Sequence, residues 1–415
     1  MDSVELEDFL AAAKAWLESH AERRAPRAAL EWGAGSDRVS LFRGGSAAEE
    51  KTLVEAMLDW QRVKYDAGYG AIDWPAEYGG AGLSRAHADG FRRLEYGYMT
   101  PPLTEIVSIS LEIEAPSILA LGSEEQKRQW IPRLRRGDSM CCQMFSEPGA
   151  GSDLGSVATR AVRDEDGDGW ILDGQKVWTS GAQYCDLGYV LCRTDASAPR
   201  QQAFTVFLVP MDAPGVEVRP LRQMTGGANF NEVFFTQVRV PDSARLGAVG
   251  TGWQAAMTTL GFERASVGRG GGGAGPDMFG RLLLTAGHFG RLGDPEVRRL
   301  LTEAYARNRM RSWTDQRARA ALRASGVPGP EGSLSKLATT RCLHLYSEAA
   351  AVILGQAFVA DTGEWGTYAW AEFACGVPGL RLGGGTDEIQ KNTIAERALG
   401  LPREPRPARN GSTTL

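Results

Sequence analysis

Leu6, Phe9, Leu10, Ala13, Trp16 and Leu17 recur at the spacing of one helical face, so the chain opens with an amphipathic helix. The same periodicity predicts helices over about Glu49 to Tyr65, His87 to Tyr96 and Glu105 to Leu121, with Trp74-Pro75-Ala76-Glu77-Tyr78-Gly79-Gly80 as a turn-rich connector. Ser123-Glu124-Glu125-Gln126 has the form of a capping box, Ser123 accepting from a backbone amide while Gln126 reaches back. After Met140 the period changes. Val157 to Arg163, Trp170 to Leu172, Tyr189 to Thr194, Phe204 to Val209 and Glu232 to Val240 are short β-branched and aromatic runs between Asp, Gly and Pro turns, which predicts a compact β domain. From Gly252 helical periodicity returns, with Val297, Leu300, Leu301 and Ala304 on one stripe and a long pattern from Leu334 to Phe358. The chain therefore reads as α+β and multidomain: an N-terminal helical domain over 1–139, a middle β domain over 140–248, a C-terminal helical bundle over 249–402 and a disordered tail over 403–415. Gly268 to Gly275 reads as a flexible connection rather than a phosphate cradle, because it follows a helix and lacks the Lys-Ser/Thr pair.

Composition adds exclusions. At 415 residues and 43% hydrophobic the chain can bury a large core, and its formal net charge of −5 gives no electrostatic reason for nucleic acid or an acidic membrane surface. The basic run Arg133 to Arg136 reads as a solvated helix end. Cys141, Cys142, Cys185, Cys192, Cys342 and Cys375 lack metal-ligand spacing, and His20, His87, His288 and His344 lack a paired arrangement, so no metal is expected. Asp164-Glu165-Asp166-Gly167-Asp168-Gly169 begins like a calcium loop, but Gln175 stands where the bidentate Glu belongs, and a hairpin turn is the better reading. With no apolar leader and no run of 18 apolar residues, the expectation is a soluble cytoplasmic protein with no membrane insertion.

Three separated blocks carry the chemistry. Phe145-Ser146-Glu147-Pro148-Gly149-Ala150-Gly151-Ser152-Asp153 joins small residues, which let a ligand approach the backbone, to hydroxyls and amides that can hydrogen-bond it. Alone it reads equally as a Pro-Gly loop, and Trp178 alone reads as a core residue. Together with Trp178-Thr179-Ser180 and Gly383-Gly384-Gly385-Thr386-Asp387-Glu388-Ile389-Gln390, in this order, the chain resembles the acyl-CoA dehydrogenase family. The resemblance covers nearly the whole chain and implies that family's fold, a helical domain, a middle β-barrel and a helical bundle. It also implies FAD, held by Phe145, Ser146, Gly151, Ser152, Trp178, Thr179, Ser180, Thr386 and Glu388, with Ser152 and Arg264 beside the acyl-CoA substrate.

The activity implied is α,β-dehydrogenation of an acyl-CoA thioester, electrons passing to an electron-transfer flavoprotein. One branch of the family carries its base two residues before the Thr, where this chain has Gly384. Another carries it on the middle helix before an Arg, and Glu263-Arg264 match that position. Periodicity alone favours a solvated glutamate at 263. The resemblance implies a base there, with Ala256 and Leu260 on its helical face, and it leaves Gly384 the role of offering its N–H to the thioester oxygen. The family block Arg-x-x-Phe-Gly is reduced to Phe289-Gly290, and Gln-x-x-Gly-Gly to Leu354-Gly355-Gln356, so cross-subunit flavin contacts depart from the homotetrameric pattern. This combination resembles one chain type of the actinobacterial heterotetrameric members acting on steroid side chains. Homotetramer and heterotetramer both stay open. So do nitroalkane oxidation or flavin N-oxygenation on the same scaffold, and a non-catalytic partner role.

Overall fold

The computed structural model describes residues 5–25, 30–39, 41–42, 47–165, 167–268, 277–325 and 329–403. The predicted flexible connection beyond Gly268 and the predicted tail beyond residue 403 lie outside these residues.

The N-terminal part is helical: α1 (Leu6–His20), α2 (Ala47–Asp66), α3 (Arg85–Glu95), α4 (Glu105–Ser108), α5 (Ala115–Leu121) and α6 (Glu124–Arg136). Phe9, Ala13 and Leu17, four residues apart, bury one face of α1 against Trp60, Ala88 and Phe91. The capping box of α6 forms as expected, with Ser123 Oγ accepting from Gln126 N and Gln126 Oε1 from Ser123 N. The single helix predicted over Glu105 to Leu121 is instead interrupted by a π-helical segment, Ile109–Glu114. Pro116 has no N–H to offer Glu112 O, and Arg135 donates to the displaced Leu111 O at 2.9 Å. Arg135 corrects the solvated-helix-end expectation for this run: it turns inward, over the Trp74 ring, and burial lowers its pKa to about 10.

The middle of the chain supplies β1 (Cys141–Met144), β2 (Arg160–Arg163), β3 (Gly169–Ser180), β4 (Leu187–Arg193), β5 (Phe204–Pro210), β6 (Val216–Leu221), β7 (Phe230–Pro241) and β8 (Arg245–Leu246). They form one sheet in the order β6-β7-β3-β2-β4-β5-β8, with β1 parallel to β4. Its path has two ends, β6 and β8, which do not pair with each other among the described residues, so the expected barrel closure is absent from the pairing. The segment Asp164 to Gly169 is the hairpin between β2 and β3, Asp164 N donating to Gly169 O at 3.1 Å. β4 and β5 are covered on both faces. Val190, Cys192, Phe207 and Val209 enter one core, and Leu187, Tyr189, Leu191, Val206 and Leu208 enter the other.

The remaining helices are α7 (Gly252–Gly268), α8 (Met278–His288), α9 (Pro295–Ser325), α10 (Glu331–Leu354), α11 (Ala369–Leu382) and α12 (Asp387–Thr393). Val297, Leu300, Leu301 and Ala304 meet Leu345, Ala349, Trp370 and Phe373 in their core. A stretch of the N-terminal segment lies across this bundle: Val39 is buried in the same core, and Trp32 stacks on His288 at 3.9 Å. The key junction is α7, which packs Ala255 and Ala256 against the sheet and bonds to the π-helical segment through Ser266 Oγ, a donor to Glu112 Oε2 at 2.6 Å.

Candidate active site

The loop after β1 is fixed by a buried ion pair. Lys176 Nζ donates to Glu147 Oε1 at 2.7 Å, to Leu191 O at 2.7 Å and to Phe145 O at 3.2 Å, and Glu147 also accepts from the amides of Ala158 and Thr159. Burial pushes the Glu147 carboxyl up, yet Lys176 and these donors outweigh it and hold the group below its ordinary value. The pair ties Phe145 and Ser146 to β3 just ahead of Trp178, and Val177 N adds a bond to Ser146 O at 3.0 Å.

At that point β3 bulges. Lys176 pairs with Val233 and Thr179 with Asn231, three residues forward on β3 against two on β7. The extra residue leaves Trp178 at a φ of 60°, and its indole is 56% exposed. A large apolar ring held open in a left-handed conformation is strained and uncovered, a pairing found where a ligand face is to be met. Next to it Thr179 is buried, and its Oγ1 finds no hydrogen-bond partner among the described residues. Ser180 Oγ donates to Glu105 Oε1 at 3.2 Å.

From the other side α7 brings Glu263. Thr259, one turn earlier, donates to the Tyr189 hydroxyl at 3.1 Å, which seats the helix on β4. Gln143 Nε2 donates to Glu263 Oε2 at 3.1 Å. The remaining oxygen, Oε1, lies 3.3 Å from where a Cβ on Gly384 would stand. The two family base positions, separated by more than a hundred residues in sequence, thus share one volume. Gly384 and Gly385 have φ of 65° and 87°, values that favour glycine, and Gln390 Nε2 holds both carbonyls, at 2.8 and 3.1 Å. Lys336 Nζ also donates to Gly385 O.

Thr386 caps α12, its hydroxyl accepting from Ile389 N at 3.2 Å. Asp387, buried behind it, is held by Arg381 and Thr340. Glu388 is exposed, with Lys391 at 3.9 Å. Gly151 and Ser152 stand exposed on the loop beyond Ala150, beside Asp153, which pairs with Arg200. Arg264 follows Glu263 on α7, but its side chain lies outside the described residues. A cavity of about 780 Å³, lined in part by Glu50, Tyr184, Asp186, Asp212 and Asn229, has none of the candidate flavin, substrate or base residues in its lining.

The electrostatics around Glu263 come from residues that sequence reasoning did not pick. Glu114, at the end of the π-helical segment, is 0% exposed and neither of its oxygens has a partner among the described residues; burial pushes its carboxyl well up, with Cys142 and Glu263 adding to the rise. Glu105 is raised by the surrounding protein and by Glu263, against the pull of its Ser180 bond. Lys336 is lowered by burial, against the opposing charges of Asp387, Glu263 and Glu388. Gln390 ends the Gly-Thr block but drew no role from it, Gln143 has only its place just before the Phe145 block, and Lys336 carried no sequence signal.

A helical part, a sheet and a helical bundle, with an open indole beside one unpartnered buried hydroxyl and a carboxylate on the facing helix, fit a flavin-dependent dehydrogenase. Residues 46–138, 142–238 and 250–399 match the N-terminal, middle and C-terminal domains of acyl-CoA dehydrogenases, and the chain belongs to that family. It is similar to the acyl-CoA dehydrogenase IpdE1 of Mycobacterium tuberculosis, 35% identical over 96% of this chain and 99% of that one. Among solved structures it is similar to the ChsE4-ChsE5 complex from Mycobacterium tuberculosis, at 25% identity and a TM-score of 0.69 over 97% of this chain and 100% of that one. The Tcur3481-Tcur3483 steroid ACAD gives 25% identity and a TM-score of 0.70, again over 97% and 100%. The chain is an oxidoreductase of this family, and FAD is the family's cofactor.

Proposed function

We propose that this chain oxidises the Cα–Cβ bond of an acyl-CoA thioester with Glu263 as the catalytic base. When bound, FAD supplies the acceptor for the β-hydride. Trp178, Thr179 and Ser180 would meet the flavin ring, with Phe145, Ser146, Gly151 and Ser152 along the loop and Thr386 and Glu388 toward the nucleotide; Ser152 and Arg264 would flank the thioester tail. The open indole and the unpartnered Thr179 Oγ1 fit that group. Glu263 takes the α-proton, and the Gly384 N–H offers a donor to the thioester oxygen as enolate charge develops. The observation that carries this reading is the 3.3 Å approach of Glu263 Oε1 to the Cβ position of Gly384, because the middle-helix carboxylate fills the volume that a side chain at 384 would otherwise occupy.

For the acyl group we infer a bulky, polycyclic thioester of the steroid-degradation type, and for the assembly a heterotetramer with a related chain. The similar Tcur3481-Tcur3483 steroid ACAD supports both, and the ChsE4-ChsE5 complex supports assembly with a second chain. An electron-transfer flavoprotein is the proposed electron acceptor, and the cytoplasm the proposed compartment. The test is rapid-mixing reduction of the FAD-loaded protein by a panel of straight-chain, branched and polycyclic acyl-CoA thioesters. Glu263→Gln is expected to keep its flavin and lose at least a thousandfold in the rate of bleaching, the scale on which general-base removal acts. Unchanged bleaching in that variant overturns the assignment. Preference for oxygen over a flavoprotein acceptor would favour oxidase chemistry on the same scaffold.

A further inference from the structure

We propose that Gln143 is a positioning residue for this base: its side-chain amide holds one oxygen of Glu263, so that the other faces Gly384. The inference rests on the reading of Glu263 as the base.

Strand alternation places the amide. Cys142 and Met144 enter one core of the sheet and Cys141 the other, so Gln143 shares the face of Cys141, toward α7. β1 is held in register by its parallel pairing, Gln143 opposite Tyr189, and by Cys141 N donating to Ser110 Oγ at 2.8 Å. The same Tyr189 receives the bond from Thr259 one turn before Glu263. Base and amide therefore stand on two elements locked to a common strand, and the 3.1 Å contact between them is a fixed geometry rather than a surface encounter.

The chemistry fixes which way the amide faces. An ionised carboxylate only accepts, so the NH₂ end must face Glu263, and Gln143 Oε1 is left buried without a partner among the described residues. A buried carbonyl left unpaired is unfavourable, and its retention marks the donor as the end that matters here. Other charged groups facing the base come from every element around it: Glu105 from α4, Glu114 from the π-helical segment and Lys336 from α10, while Arg264 on α7 has its side chain outside the described residues. Ionised Glu105 disfavours a second negative charge, whereas Glu114, kept protonated by burial, adds none. Donation from Gln143 to Oε2 favours the ionised form of the base.

The experiment is pH-dependent infrared difference spectroscopy of the FAD-loaded holoenzyme, with its partner chain where one is required. The carboxyl band absent in Glu263→Gln belongs to Glu263. In Gln143→Met, of similar length without the amide, its midpoint is expected about one pH unit higher, a tenfold change in ionisation constant, with flavin content and visible spectrum matching the parent. In Gln143→Glu a carboxyl replaces the donor, and the midpoint is expected to rise further. The acid limb of flavin reduction, read with the thioester that bleaches the parent fastest, should move by the same amount. Unmoved midpoints in both variants, with Glu263→Gln still unable to bleach, overturn the role of Gln143 alone. Normal bleaching by Glu263→Gln overturns the base reading, and this inference with it.

Discussion

Glu114 is a fully buried carboxyl without a hydrogen-bond partner among the described residues, and its cost depends on pH. In the unfolded chain it loses its proton near its ordinary value of 4.5, whereas in the folded chain burial keeps it protonated far above that. Between those two values the folded state binds more protons than the unfolded one, so stability falls as pH rises. Glu114→Gln removes the ionisation and keeps the shape. Its apparent Tm is expected to match the parent near pH 5 and to exceed it increasingly toward pH 8, and a constant difference across that range would refute the linkage. Gly384 is constrained in the opposite sense, by space. Alanine there would adopt an unfavourable left-handed φ of 65° and place its methyl 3.3 Å from Glu263 Oε1. Gly384→Ala is expected to retain flavin and slow its reduction by about tenfold or more, through displacement of the base; wild-type reduction would mean that the base sits elsewhere during turnover.

Between elements, the Lys176–Glu147 pair joins the loop after β1 to the bulge in β3. Both side chains are almost wholly buried. Removing one partner strands the other, which costs about 3–5 kcal/mol in such settings. Lys176→Met should therefore lower the apparent Tm by several degrees and reduce flavin content, and thermal scans with absorbance at the flavin maximum check both. Because the folded pKa of Glu147 is depressed, the contribution of the pair is present above the ordinary glutamate value and is lost as pH falls through the folded one. Acid release of flavin in the parent, absent or shifted in the variant, is the matching signature. The elements legible in sequence were those with period: α1, α2, α3, α9, α10, β2, β4, β5, β7 and the start of β3. The short β1 and β8 carry too few residues to show alternation, and β6 alternates but buries none of its six residues fully. The π-helical break at Ile109–Glu114 escaped because Pro116 and Arg135 act together across the fold, and no local pattern records an arginine that donates to a distant carbonyl.

At the scale of the molecule, sequence blocks pointed to Glu263 as the base and to Gly384 as a backbone donor, and the fold brings the two within contact distance. What the blocks could not show is which side chains meet there: Gln143, Glu105 and Lys336 reach it through contacts across elements, and Gln390 through its bonds to the glycine carbonyls. The same limit applies to the outer surface. On α9, Tyr305, Arg309 and Trp313 lie four residues apart with Met310 beside them, and Tyr305, Met310 and Trp313 are each more than half exposed. An aromatic stripe of this kind on a protein surface calls for cover. With the reduced Phe289-Gly290 and Leu354-Gly355-Gln356 blocks, a related second chain completing the flavin site is the expected cover. Purified alone, this chain should then carry flavin at a ratio well below one. Light scattering and the flavin-to-protein absorbance ratio should both rise when the related chain is co-expressed, and Trp313→Glu should weaken that rise. A homotetramer of this chain alone with one flavin per subunit would remove the need for a partner and leave Glu263, Gly384 and Gln143 to be tested in a self-sufficient enzyme.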